Sequence, residues 1–122
     1  MIYRSRKMVK GADLNGAGSL FGGVALAWID EEAAIYALCQ LATHNVVTKA
    51  MSSIDFKSPA KIGDIVEIGC ETVRFGRTSI TVKCSMRNKT TQQDIITVEE
   101  IVFVNMIDGI PSPHGVTNNP IT

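Results

Sequence analysis

Residues 21–42, FGGVALAWIDEEAAIYALCQLA, constrain this chain more than any other stretch. The segment is rich in alanine and leucine, holds no proline and is too long for a strand. It therefore predicts a helix, and no second stretch does so convincingly. Polar groups interrupt it at Asp30, Glu31, Glu32 and Gln40, leaving a helix that is apolar nearly all round. Such a helix is buried on most of its sides, so the rest of the chain has to wrap it.

The wrapping reads as strands. Residues 2–9 mix apolar and basic side chains in a short extended run, and Gly11 to Gly18 supply turn chemistry before the helix. Four strand-like runs follow it: Val46–Phe56, Ile65–Phe75, Thr78–Arg87 and Ile95–Met106. Ser58-Pro59, Gly63-Asp64, Gly76 and Asn88–Gln93 divide them. Ile80, Val82, Cys84 and Met86 alternate with Thr81, Lys83, Ser85 and Arg87, the period of a sheet with one covered face. The even positions are expected to face the core. Short connections predict successive antiparallel hairpins. The expected architecture is α+β, one antiparallel sheet curled round one long central helix; a ferredoxin-like arrangement would need a second helix. An unpaired sheet edge has to be covered or joined, which predicts a homodimer. Residues 1–108 make the folded domain, and 109–122, rich in proline, glycine, asparagine and threonine, are expected to form an irregular tail.

At 122 residues the chain fits one domain that can bury a core without staples. Twelve Lys+Arg balance twelve Asp+Glu, so no global field attracts a polyanion and nucleic-acid binding is disfavoured. Locally, Lys57, Lys61, Arg74 and Arg77 fall at predicted strand ends, where they can serve a small anion. Cys39, Cys70 and Cys84 are odd in number, lack CxxC spacing and sit in apolar runs, so buried free thiols in a reducing compartment are expected. The N-terminal MIYRSRKMVK has no apolar core of a leader, and the longest apolar stretch, Leu20 to Ile29, is about half a membrane span. A cytoplasmic protein away from the membrane is the expectation.

Three features carry possible chemistry. Asn15 and Phe21-Gly22-Gly23 stand at the helix start, where unpaired N–H groups can polarise a carbonyl oxygen or bind an anion. The glycines there equally suit relief of crowding where the chain enters a wrapped helix. Asp30, Glu31 and Glu32 lie in apolar surroundings; Asp30 has Leu26, Ala27, Ala33 and Ala34 at helical spacing. A carboxylate away from water is costly to ionise and points to a general base or nucleophile. All three acids could instead line one solvated strip, and the helical wheel does not choose among them. Phe75-Gly76-Arg77-Thr78-Ser79 offers a forked cation and two hydroxyls for phosphate, or an ordinary hairpin with a solvated arginine; Lys57-Ser58-Pro59 has the same standing. His44 and His114 lack partners at metal spacing, no Gly-x-Ser-x-Gly or Walker loop occurs, and Trp28 reads as core, so neither metal nor cofactor is expected.

Four motifs in order, Asn15-Gly16-x-Gly18-x-Leu20-Phe21-Gly22-Gly23, Trp28-Ile29-Asp30, Asp55-Phe56-x-x-Pro59-x-x-x-Gly63-Asp64 and Gly76-Arg77-Thr78-Ser79, resemble the acyl-CoA thioester hydrolases. The similarity is to the YciA-like and cytosolic acyl-CoA hydrolase branch of the hotdog-fold thioesterases, over residues 3–107. The resemblance implies that Asp30 acts as base or nucleophile, that Asn15 positions substrate or water, and that the Gly23 amide, beside Gly22, holds the thioester oxygen. It implies that Asp30 and the Asn15/Gly23 pair come from different subunits of a homodimer, with a trimer of dimers as a further assembly. Lys57, Ser58, Arg77, Thr78 and Ser79 would contact the phosphates and pantetheine arm of CoA. Ser19 departs from the Asp or Asn that such relatives often carry just before the Phe-Gly-Gly stretch, and the tail is short beside theirs. The expected activity is hydrolysis of acyl-CoA to acid and CoA, with a non-catalytic acyl-CoA binding module as the rival. A hydratase or dehydratase would use a catalytic histidine, and neither histidine lies in such a helix motif.

Overall fold

The computed structural model describes residues 1–117. Strand β1 (Ile2–Met8) leads through a 3-10 turn (Gly11–Asp13) to the helix α1 (Gly22–Leu41). Then come β2 (Val46–Phe56), β3 (Ile65–Phe75), β4 (Ser79–Asn88), β5 (Asp94–Ile107) and the two-residue β6 (Ile110–Pro111). The strands form one antiparallel sheet in the order β1-β3-β4-β5-β2, with β6 beside the end of β5. One helix against one antiparallel sheet is the α+β, hotdog-like arrangement that the pattern predicts.

Successive hairpins occur at β3–β4 and β4–β5, but β2 pairs with β5 and not with β3. The reason lies in the connection. Residues 57–64 are tied to the loop ahead of the helix, through Leu20 N–H to Ala60 O and Gly63 N–H to Val9 O, both 2.8 Å. A turn at Lys61–Asp64, with Gly63 at φ +85°, then sends the chain to the opposite side of the sheet. The segment after Asp108 is likewise more regular than an irregular tail: Ile110 and Pro111 pair with β5, and Asn105 Nδ2 donates to Ser112 O at 3.0 Å. Residues 118–122 of that expected tail lie outside the described residues.

Helix α1 meets the sheet through Ala25, Ile29, Ala33 and Ala37, all without exposure. Three of these are alanines, so the helix axis can lie close to the strands. Facing them, Ile80, Val82, Cys84 and Met86 are fully buried, as the alternation requires. Thr81 and Ser85, expected outside, are also buried, being short side chains on a central strand between β3 and β5. The opposite stripe of the helix, Gly23, Ala27, Glu31, Ile35 and Cys39, is exposed. Cys39 thus departs from the expected burial, whereas Cys70 and Cys84 lie buried as a direct cross-strand pair with sulfurs 3.0 Å apart. Hydrogen bonding to Cys70 and burial push the Cys84 thiol up. Among the described residues no helix is long and apolar enough to cross a membrane.

Among the described residues the outer face has one buried charge, Glu67. Glu67 accepts from Arg87 Nε at 2.8 Å and lies 3.5 Å from Arg6 Nε, while the Arg87 guanidinium stacks 3.6 Å from the centre of the Tyr3 ring. Tyr3 and Met1 also close over Gly69, where a Cβ would stand 2.8 Å from Met1 Cγ. This cluster joins edge strand β1 to β3 and β4. The Arg87 hydrogen bond, with the charges of Arg87 and Arg6, outweighs burial and holds the Glu67 carboxyl below the usual carboxylate range. Its contribution is therefore complete above the unfolded carboxylate value near ~4.3 and is lost as pH falls through the lower folded value. Glu67→Gln should destabilise the fold by about 2 kcal/mol, under the ~3–5 of a fully buried pair because Arg87 keeps 28% exposure. Urea unfolding from neutral to acid pH checks this, with the loss below about pH 4 shallower in the variant.

Candidate functional site

The chain enters α1 without a side-chain cap, and the first intrahelical bond runs from Ala25 N–H to Phe21 O. The amides of Gly22, Gly23 and Val24 consequently have no acceptor among the described residues. They stand at the positive end of a 20-residue helix. Beside them opens a cleft of about 330 Å³ lined by Asn15, Gly22, Phe56, Lys57, Ser58 and Ile96, among others. Phe56 lies close over Gly22: a Cβ there would stand 3.1 Å from Phe56 Cε1, and the ring would have to shift by a few tenths of an ångström to admit it. The structure thus gathers Asn15, Gly22, Lys57 and Ser58, drawn from two separate motifs, round one helix start.

Asn15 holds its loop in shape. Its Oδ1 accepts from the N–H groups of Ala17 (2.9 Å) and Ser19 (3.1 Å), an Asx-type turn, and its Nδ2 has no partner among the described residues. Ser58 Oγ donates to Asp94 O. Lys57 makes no ion pair among the described residues, and Lys61 Nζ donates to Ser19 Oγ at 2.9 Å. Ser19 therefore brings a second cation to the rim of the cleft. By contrast Arg74, grouped with these cations in the sequence, is taken by Glu100 at 3.1 Å.

Asp30 is half-buried on α1, and its Oδ1 accepts from Thr48 Oγ1 at 2.8 Å. Thr48 is a site neighbour that sequence spacing does not reveal, since it reaches Asp30 only because β2 runs beside the helix. No cation lies within ion-pair reach of Asp30 among the described residues. Asp30 follows Gly23 by seven positions, so the two stand on one side of the helix about 10 Å apart along its axis. Within one chain Asp30 does not line the cleft.

Arg77, Thr78 and Ser79 lie elsewhere again, at the β3–β4 turn. A Cβ at Gly76 would collide with Ser79 Oγ, and Gly76 N–H donates to Ser79 O at 2.9 Å, which closes the turn. Arg77 makes no ion pair among the described residues and borders a second cleft of about 330 Å³ with Phe75, Pro113, Val116 and Thr117. No group of acids, cysteines and histidines among the described residues is placed to hold a metal ion.

The family model of the thioesterase superfamily matches residues 17–95, from the Asn15 loop to the start of β5. The chain belongs to the thioesterase superfamily. Acyl-CoA thioester hydrolase YciA of Salmonella typhimurium is 30% identical over 115 residues, 88% of this chain and 86% of the relative. An uncharacterized acyl-CoA thioester hydrolase of Buchnera aphidicola is 35% identical over 83 residues, 68% of this chain. That match spans 59% of the Buchnera protein, little more than half its length. A crystal structure of a hexameric broad specificity acyl-coenzyme A thioesterase superposes with a TM-score of 0.87, at 25% identity over 97% of this chain and 89% of that one. The similarity to the YciA-like branch read from four motifs therefore extends over nearly the whole fold.

In this thioesterase-superfamily chain the candidate residues fall into three places: the cleft at the helix start, Asp30 two turns along, and the hairpin of Arg77. Two functions of Asn15 separate by substitution. Asn15→Ala should cost about 1 kcal/mol through loss of the turn. Asn15→Asp keeps the acceptor oxygens and should melt close to the wild-type temperature, as differential scanning calorimetry would record.

Proposed function

We propose that this chain hydrolyses acyl-CoA to a free carboxylic acid and CoA as a cytoplasmic homo-oligomer. The observation that carries the reading is the uncapped start of α1, where the amides of Gly22, Gly23 and Val24 have no acceptor among the described residues and Gly22 lines a cleft shared with Asn15, Lys57 and Ser58. Donors fixed in place stabilise an oxyanion because they need no reorganisation when charge develops. The activities of the relatives, acyl-CoA thioester hydrolase and acyl-coenzyme A thioesterase, agree with that chemistry.

In the proposed reaction the Gly23 amide donates to the thioester oxygen as it becomes anionic, and Asn15 Nδ2 orients substrate or water. Asp30 supplies the carboxylate, either drawing a proton from the attacking water or attacking the carbonyl itself to form an acyl anhydride that water then hydrolyses to the free acid. The C–S bond breaks, and the CoA sulfur leaves as thiolate and takes up a proton. Thr48 holds one oxygen of Asp30 and so restricts its rotation. Lys57, Ser58 and the Arg77–Ser79 turn bind the phosphates and pantetheine arm. No cofactor beyond the CoA of the substrate enters the scheme.

The spacing of Gly23 and Asp30 supports a site shared between subunits. Groups about 10 Å apart on one helix do not serve one carbonyl. Two copies of α1 crossing antiparallel about a two-fold axis near Leu26 and Ala27 would set Asp30 of one copy beside Gly23 of the other. The exposed stripe Gly23, Ala27, Glu31, Ile35 and Cys39 suits that contact, being mostly apolar and small at its N-terminal half. Strand β2 is a sheet edge, borders Asp30 through Thr48 and the cleft through Phe56, and exposes Val47, Ile54 and Phe56. The dimer forms along this edge in the proposal, and hexamers, as in the similar thioesterase, would be three such dimers.

Asp30→Ala should lower kcat roughly 100-fold or more while leaving the fold intact. A thiol-release assay over short, long and aromatic acyl-CoAs measures it, and release at the wild-type rate would remove Asp30 from the mechanism. The same panel separates an enzyme from a module that binds CoA esters without turnover. Co-expressed Asp30→Ala and Asn15→Ala chains, each inactive alone, should recover activity in mixed oligomers, since one site of each mixed dimer is intact.

A further inference from the structure

We propose that His114 is a positioning residue that locks the β3–β4 turn into a donor-only surface for the phosphate end of the substrate. The proposal rests on the thioesterase reading of Arg77. Val116 N–H donates to His114 Nδ1 at 3.0 Å, so that nitrogen carries no proton. The ring proton is then on Nε2, which donates to Ser79 O at 2.8 Å. The backbone N–H of His114 donates to Arg77 O at 3.3 Å, and the ring meets Phe75 edge-on with centroids 6.0 Å apart. One residue thereby grips the turn on both sides of Thr78.

The consequence lies in where the turn's acceptors go. Arg77 O is taken by His114 N–H, Thr78 O by Asn105 N–H at 2.7 Å, and Ser79 O by His114 Nε2 and Gly76 N–H. All three carbonyls are satisfied from within the fold. The Arg77 guanidinium and the hydroxyls of Thr78 and Ser79 have no partner among the described residues. A phosphate arriving here meets donors and a cation, with the repelling carbonyl oxygens already occupied. Asn105 completes the clamp, since its Nδ2 donates to Ser112 O and its own O accepts from Ser112 N–H at 2.9 Å. This binds the segment carrying His114 to β5. The part of the chain that sequence pattern reads as a tail is therefore the back wall of the turn.

The test compares acyl-CoA with the acyl thioester of N-acetylcysteamine, which has the same reacting bond and no phosphates. His114→Ala should raise KM for acyl-CoA roughly tenfold, as expected for one or two lost hydrogen bonds, with kcat little changed. KM for the truncated thioester should not move. His114→Gln, which keeps a donor for Ser79 O, should fall between the two. Arg77→Ala should raise KM for acyl-CoA similarly, and the double variant should add little to either single one, because both act through one contact. Equal KM increases for both thioesters, a loss in kcat at constant KM, or fully additive effects would overturn the proposal. Amide hydrogen exchange gives a readout free of activity: Val116 and Gly76 should exchange faster in His114→Ala, and unchanged protection would also overturn it. A wild-type chain inert to every acyl-CoA would sink the thioesterase reading, while the exchange rates would still judge the clamp.

Discussion

The close seating of α1 on the sheet is the constraint from which the rest follows. Ala25, Ala33 and Ala37 contribute little area individually, but they let the helix approach the strands so that Ile29 and the side chains of Ile80, Val82, Met86 and Phe103 leave water completely. Each large aliphatic side chain so buried is worth about 2 kcal/mol against exposure. A helix held this closely by one face cannot also be covered on the other by the same sheet. Its outer stripe remains exposed, and its uncapped N-terminus is held beside residues 57–60. The same packing that stabilises the fold thus leaves the first amides of the helix without acceptors among the described residues, at the edge of a cleft that Gly22 lines.

Charge is balanced in total but divided in space. Arg6 and Arg87 are committed to Glu67, Arg74 to Glu100, and Lys83 to Glu99 at 3.4 Å, all on the outer face of the sheet. Lys57, Lys61 and Arg77 form no ion pair among the described residues; Lys57 and Arg77 line the two clefts, and Lys61 reaches Ser19 of the first. A net charge of zero hides this separation. The Arg6 and Arg87 pairs with Glu67 tie strand β1 to β3 and β4, whereas the uncommitted cations remain available to an anionic ligand.

Much of this architecture is legible in the amino-acid sequence. The helix and five strands occur within one or two residues of where the sequence puts them, because an alanine- and leucine-rich run without proline is too long for a strand and the strand runs are bounded by turn residues. The pairing of β2 with β5 is not legible: the connection at residues 57–64 crosses the sheet, held by hydrogen bonds to the distant Val9 and Leu20. Asp30 reads as unusual from its apolar helical neighbours, but its contact with Thr48 depends on strand placement. His114, which has no partners at metal spacing, acts through backbone groups, and these carry no side-chain signature in a sequence. Arg74 and Arg77 look alike as strand-end arginines, and only the position of Glu100 on β5 distinguishes them.

The sequence by itself determined the one helix, the strands, the core-facing register of β4 and the family resemblance, since each depends on neighbours a few residues apart or on motif order. Tertiary structure alone decided which motifs meet. It brought Asn15, Gly22, Lys57 and Ser58 to one cleft, set Asp30 two helical turns from it, and turned the carbonyls of Arg77–Ser79 inward to Asn105 and His114. Those outcomes depend on backbone hydrogen bonds between segments far apart in the chain, and every residue offers the same backbone groups, so no local pattern could specify them.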